Sequence, residues 1–178
     1  MEADLLTDVI DRRTARARLG EEIKRLAQRL LAAAILLWLL FSQVLLITQA
    51  SGNRMFPAVK DGDLVIAFRL NGRYTKNDVV VYTASNAQCL GRVVAREQDV
   101  VSIDGTGKLL VNGTVQDGGI LFPTWPGEGV TYPIKLKEGE LFILGDHRTQ
   151  AVDSRAFGPV MEKDVQGKVI TLLRRRGL

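Results

Sequence analysis

The sequence predicts a mainly β, antiparallel domain, sandwich-like or barrel-like, behind one N-terminal transmembrane helix. Three observations carry this prediction. A single long apolar run, Leu30 to Ile47, is broken only by Ser42 and Gln43. Glycine is frequent, with 17 in 178 residues, and turn-forming Asp-Gly and Asn-Gly pairs recur after the first third. Between those turns lie short, β-branched runs, the signature of strands rather than of long amphipathic helices.

The apolar run is long enough, at 1.5 Å per residue, to cross a hydrocarbon core of roughly 30 Å. A cleaved leader usually begins near the N-terminus and has a shorter apolar core. Here the run begins late and is long. A buried core helix would need a domain large enough to cover a helix that is apolar all round over Leu30–Phe41. A permanent anchor is the better expectation. Arg12, Arg13, Arg16, Arg18, Lys24, Arg25 and Arg29 all precede it. Basic residues flanking a span stay cytoplasmic, so the remainder is expected outside. The predicted organisation is a cytoplasmic segment over 1–29, which begins with a short amphipathic stretch at Glu2–Arg18. A transmembrane helix follows over 30–48, then an extracytoplasmic β domain over 49–178. The expected location is the cell membrane, with a single pass. The connection Ala50-Ser51-Gly52-Asn53 is short, which predicts a domain held close to lipid.

Within the domain, strands are expected at Asp63–Leu70, Val79–Tyr82, Arg92–Ala95, Val100–Ile103, Lys108–Val111, Leu141–Leu144 and Lys168–Leu173. Asp104-Gly105 and Asn112-Gly113 are read as hairpin turns, because these residues tolerate positive φ. Pro123, Pro126 and Pro133, with Gly118, Gly119, Gly127 and Gly129, mark an irregular external excursion.

A net charge of +4 suggests nucleic acid only until its distribution is considered. Arg12, Arg13, Arg16, Arg18, Lys24, Arg25 and Arg29 form a group just before the span, as membrane orientation requires, and no stacking aromatics interleave with them. One cysteine, Cys89, and one histidine, His147, cannot supply a four-ligand zinc site or an internal disulfide. No metal and no cofactor are predicted. The sequence does not fix an oligomeric state.

Asn53-Arg54-Met55-Phe56-Pro57, directly after the anchor, resembles the first sequence box of type I signal peptidases, Gly-x-Ser-Met-x-Pro. Gly62-Asp63 and Asn77 through Tyr82 resemble the next two boxes. Gly91-Arg92-Val93-Val94 resembles the box usually written Lys-Arg-Val-Ile. Gly105 through Asn112-Gly113 resembles the family's hairpin. Gly145-Asp146-His147-Arg148, then Asp153-Ser154-Arg155 and Phe157-Gly158, resemble its last long box, and Gly167-Lys168 the closing motif. The boxes run in the family's order from the anchor to the C-terminus. The compact length is similar to the Gram-positive type. The resemblance implies a signal-peptidase-like antiparallel β domain.

It also implies a chemistry that this chain lacks. Members of the family use a serine nucleophile and a lysine general base, kept neutral by burial. The serine attacks the scissile carbonyl and forms an acyl-enzyme. By the resemblance, the nucleophile position is Arg54, whose guanidinium is neither a nucleophile nor a usable base. The base position is Gly91, and the position that orients the base is Ala151. A retained fold without proteolysis is expected. The vacated space leaves two expectations for Arg54: that it plugs the site toward Gly91 and Ala151, paired with a carboxylate such as Asp146 or Asp153, or that it points into solvent.

Other candidates are read as structural. Ser51 lies three residues before Arg54, and Ser154 belongs to the last box. Lys60 is expected to be solvated, Cys89 to be a small packed side chain, and His147 to hold a turn. Asp146, Arg148, Asp153 and Arg155 are expected to form a charge network that braces the last loop. Trp125 is expected to pack, with a partner-anchoring role as the alternative. The basic run Arg174-Arg175-Arg176 is expected to be a solvated tail, with anionic lipid as a possible contact.

The implied function is a non-catalytic membrane protein that binds exported polypeptide by β-addition, in a groove including Met55, Phe56, Pro57 and Val93. Dyad-less members of the family occur beside pilus genes in Gram-positive bacteria, so a pilin or other secreted preprotein is the expected partner. The alternatives are an active signal peptidase with displaced catalytic groups and a purely structural membrane subunit.

Overall fold

The computed structural model describes residues 2–70, 72–116 and 121–174, with side chains of the N-terminal helix described from Leu19 onward. Gly118, Gly119, Arg175 and Arg176 lie outside the described residues, as do the side chains on which the amphipathic reading of Glu2–Arg18 rests.

The chain divides into two units, residues 1–43 and 44–178. The first is the helix α1, Glu2–Val44. Its stretch Leu19–Val44, 26 residues long, is apolar and long enough to cross a membrane, and none of that window is buried. The expected helical span of 30–48 ends too late. Leu45–Gln49 is instead a strand, β1, paired antiparallel with β2, Leu64–Phe68. The sequence Leu-Leu-Ile-Thr-Gln can alternate its side chains across a sheet, and the ladder to β2 satisfies its backbone. That tertiary pairing overrides the apolar continuity that made the run look like one helix.

The second unit is antiparallel throughout its described pairings. β3 (Val79–Ala84), β4 (Ala87–Ala95), β5 (Val100–Ile103), β6 (Leu109–Val111) and β7 (Thr114–Val115) follow. Then come β8 (Ile134–Lys135), β9 (Glu140–Leu144), the single helical turn α2 (Ser154–Phe157), β10 (Val160–Met161) and β11 (Val165–Leu173). One sheet has the order β1-β2-β11-β3-β4-β9-β10, and the other β7-β6-β5-β8.

The predicted strands are present with small shifts of boundary. β1, β7, β8 and β10 were not anticipated. Three of them, β7, β8 and β10, are only two residues long, too short to show a period. Asn112 and Gly113 both take positive φ, 54° and 79°, and form the expected β6–β7 turn. The β5–β6 turn differs. Its positive φ falls on Gly107, and the Asp104 carboxylate accepts from the backbone N–H of Thr106 and Lys108.

The central strands are buried on both faces, which explains their continuous apolar runs. In β9, Phe142 and Leu144 join a core with Val94, Val101, Leu109 and Leu136. Leu141 and Ile143 face the other way, into a core with Tyr74, Val80, Tyr82 and Val93. A third core packs Val65, Ala67 and Val81 against Ala50, Met55 and Val59. This last cluster fixes the loop after β1 onto the sheet, and the candidate site grows from it.

Candidate functional site

The loop between β1 and β2 is anchored by its apolar residues. Met55 and Val59, four apart, are buried, and the Val59 N–H donates to the Met55 carbonyl at 2.9 Å. Ala50 and Asp63 close the loop's base, with the Ala50 N–H donating to the Asp63 carbonyl at 2.8 Å. Arg54 and Phe56 flank Met55 and are therefore turned outward, and both are exposed. The Arg54 backbone is held at the end of β9. Its carbonyl accepts from the His147 N–H at 3.0 Å. A Cβ placed on Gly145 would lie 2.7 Å from that carbonyl and 2.3 Å from the Ala151 Cβ. Only glycine permits this approach, so Arg54, Gly145 and Ala151 meet directly. Gly91 is buried in β4 beside the same corner, where a Cβ would lie 3.4 Å from the Leu144 carbonyl.

The space at Gly91 is not empty. A Cβ there would meet Ile143 Cγ2 at 2.5 Å and Tyr82 Cε1 at 3.1 Å. Both side chains are fully buried. Burial pushes the Tyr82 phenol well above its ordinary range; Cys89 and Asp153 add to this and Arg54 opposes it. The position expected to hold a lysine is thus occupied by an isoleucine and a tyrosine.

This corrects the expectation of an arginine plug. The Arg54 guanidinium reaches Cys89, with Nη1 4.0 Å from Sγ, and no carboxylate partner is seen for it among the described residues. The carboxylates that were expected to pair with it are engaged elsewhere. Asp146 takes a bidentate contact from Arg92, at 2.8 Å from Nε and 2.6 Å from Nη2. That hydrogen bond holds the Arg92 guanidinium above its ordinary range, against desolvation. Asp153 accepts from Arg155 Nε at 2.8 Å, Arg155 Nη2 at 2.9 Å and the Gly145 N–H at 3.0 Å. Apolar packing fills the corner, where a guanidinium taken inside would lose its water while Asp146 and Asp153 are already bonded.

Of the expected charge network, Asp153 and Arg155 pair with each other, whereas Asp146 pairs with Arg92, a residue the sequence reading did not include. Arg148 is buried but is held by neutral acceptors, the Gly145 carbonyl at 3.0 Å and Thr124 Oγ1 at 2.6 Å. Burial, and then Arg155, lowers its pKa to about 10. Ser154 serves the frame, accepting from the Ile143 N–H through Oγ at 3.0 Å. His147 holds its turn, its carbonyl accepting from the N–H of Gln150 and of Ala151 at 3.0 Å each. Its ring stacks on Phe122 with centroids 4.1 Å apart. Lys60 is exposed, Trp125 is half exposed, and Cys89 is half-buried beside the core around Tyr82.

A groove runs past Arg54. Its enclosed volume is about 60 Å³, and its walls are Gln49–Gly52 with Met55 on one side and Gln88–Leu90 on the other. Of the groove residues read from sequence, Met55 lines it. Val93 does not, being wholly buried in the core with Tyr82 and Ile143. Phe56 and Pro57 are exposed on the loop but do not line this volume. The missed wall, Gln88–Leu90, is the half of β4 that pairs only with β3, since the β4–β9 ladder begins at Arg92. β1 likewise pairs only with β2. Two strand edges therefore face the groove, bridged at one end by the Thr48 hydroxyl, which donates to Gln88 Oε1 at 2.6 Å.

The model of the family described as signal peptidase, peptidase S26, matches residues 23–173. The chain belongs to the signal peptidase family. Over 129 residues it is 33% identical to probable thylakoidal processing peptidase 2, chloroplastic, of Arabidopsis thaliana, covering 65% of this chain and 34% of that protein. It is 30% identical over 138 residues to signal peptidase IB of Staphylococcus aureus strain N315, covering 66% of this chain and 72% of that protein. The crystal structure of a signal peptidase I from Enterococcus faecalis V583 is similar with a TM-score of 0.48 at 20% identity, covering 56% of this chain and 97% of that one. The chain spans only 34% and 38% of the two thylakoidal relatives. It is a signal-peptidase-I-like protein with an N-terminal helix able to cross a membrane.

Proposed function

We propose that this signal peptidase homologue is a membrane-anchored, non-hydrolytic binder of exported polypeptide, a pilin or another secreted precursor. The helix up to Val44 anchors it, with its basic flank cytoplasmic and the β unit outside. The carrying observation is the corner at Gly91. A catalytic base needs a side chain there, yet even a Cβ would lie 2.5 Å from Ile143 Cγ2. Arg54, at the nucleophile position, offers no attacking atom. Ala151 offers no hydroxyl to orient a base. The binding half of the machinery survives this loss. Two strand edges flank the groove, and an extended chain laid between them gains main-chain hydrogen bonds by β-addition. The small volume beside Ala50 and Met55 suits a short side chain.

The test is photocrosslinking in intact cells with a photoreactive residue at Gln88, on the groove wall, and as control at Lys135, on the exposed side of β8. The reading predicts adducts with uncleaved or mature exported polypeptide from position 88, lost when Ser51→Trp, at an exposed groove-lining position, fills the groove. Equal adducts from both positions, insensitive to the filling substitution, contradict it.

A further inference from the structure

The groove carries a charge that no carboxylate among the described residues answers. Arg54 is the one charged side chain among the groove-lining residues. Its guanidinium has five N–H donors, and the contact it makes is with Cys89 Sγ at 4.0 Å, a weak acceptor at long range. Asp61, Asp146 and Asp153 are already bonded. Asp61 Oδ1 accepts from the Gly52 N–H at 2.7 Å, Asp146 is held by Arg92, and Asp153 by Arg155 and the Gly145 N–H. A planar guanidinium matches a carboxylate with two parallel hydrogen bonds, more specifically than an ammonium does.

We infer that the occupant of the groove is an extended polypeptide segment that places an Asp or Glu side chain opposite Arg54. This rests on the proposed binding function and adds to it a charge rule for the bound sequence. The backbone of the segment lies between the free edges of β1 and the first half of β4, and its small side chains enter the volume beside Ala50 and Met55. Its acidic residue meets Arg54 at the mouth. The replacement at this position thereby has a role of its own, as an electrostatic reader of the passing chain. Arg54 is exposed, so the pair is partly screened by water, and the rule shows as a preference rather than as an absolute requirement.

The experiment measures binding of fluorescent, N-acetylated and C-amidated peptides to the full chain in detergent micelles. The host is Thr-Val-Ala-Ala-X-Ala-Thr-Val-Ser, with X as Asp, Asn or Lys. Asp is expected to bind about five-fold tighter than Asn, the range of a solvent-accessible ion pair, and Lys to bind weakest. Arg54→Glu should invert the order, and raising the salt should shrink the difference in both proteins. Equal affinity for Asp and Asn overturns the charge rule while leaving polypeptide binding intact. A non-amidated peptide with X as Ala that binds tighter than the amidated Asp peptide also overturns it, in favour of a chain terminus. Failure of every peptide to bind overturns the binding function itself, and the charge rule with it.

Discussion

The filled corner at Gly91 makes a measurable prediction. Gly91→Ala adds one methyl group to a buried strand where its Cβ would lie 2.5 Å from Ile143 Cγ2 and 3.1 Å from Tyr82 Cε1. Real Cβ atoms do not tolerate the first distance, so Ile143 or the backbone must move. Ile143 is packed on every side and its backbone N–H is tied to Ser154 Oγ, so it has little room to yield. Overpacking of this kind costs about 1–3 kcal/mol, offset by up to about 1 kcal/mol from restricting the unfolded chain. A net loss of about 1–2 kcal/mol is expected on urea unfolding of the full chain in detergent, followed by tryptophan fluorescence. The second arm is Ile143→Ala, which removes Cγ2. Alone it should cost about 2–5 kcal/mol, and with Gly91→Ala distinctly less than the sum of the two. Gly91→Ala with unchanged stability, or strict additivity of the pair, would mean that the corner is open and that its filling does not explain the missing base.

Four other outcomes follow from the same geometry. Arg54→Ser combined with Gly91→Lys and Ala151→Ser should fail to cleave a fluorogenic signal-peptide substrate, because Ile143 blocks the lysine; measurable turnover without trimming Ile143 contradicts this. Asp153→Asn should cost about 3–5 kcal/mol in the same urea assay, since it leaves the Arg155 guanidinium buried without its charge partner. Asp78 and Asp99 are each partly desolvated, which alone would raise them, but hydrogen bonds outweigh burial and hold both below 3.8. The bonds come from Lys168 and Thr75 to Asp78, and from Arg96, Asn112 and Lys76 to Asp99. A depressed folded pKa stabilises the protein above the unfolded value and is lost as pH falls through the folded one. Stability should therefore drop as pH falls below about 4, and Asp78→Asn with Asp99→Asn should flatten that part of the profile. For orientation, a cysteine at exposed Glu128 in a Cys89→Ser background should react with an impermeant thiol reagent on intact cells; labelling only after lysis contradicts the proposed topology. Gly127 is unsuitable for the reporter, because a Cβ there would lie 2.4 Å from the Arg155 carbonyl.

Much of the fold was legible because its signals are local. The run Leu141–Leu144 announced a strand, which the structure buries on both faces, and Asn112-Gly113 announced a hairpin turn, in which both residues take positive φ. The end of the helix was not legible. Leu45–Gln49 is as apolar as the helix before it, and only its pairing with Leu64–Phe68 decides its state. At the site, the resemblance singled out Arg54, Gly91 and Ala151 as positions to examine, and the fold gathers them around one corner. What filled the vacancy was hidden, since Ile143 and Tyr82 are ordinary core residues in sequence and become informative only through their distance from Gly91. Val93 was misplaced for a related reason. Its alternation with Gly91 is visible, but the groove follows the unpaired edge of β4, and that edge depends on where β9 begins.

The central claim is that the groove holds polypeptide without cutting it. The direct measurement is the intact mass of a preprotein with an Ala-x-Ala site, recovered after prolonged incubation with a stoichiometric amount of the full chain in lipid nanodiscs. The expected spectrum shows the precursor at its full mass, indistinguishable from a sample without the protein. A mature fragment cut at that site, formed by protein free of contaminating peptidase and absent when Ser51→Trp blocks the groove, would contradict the account.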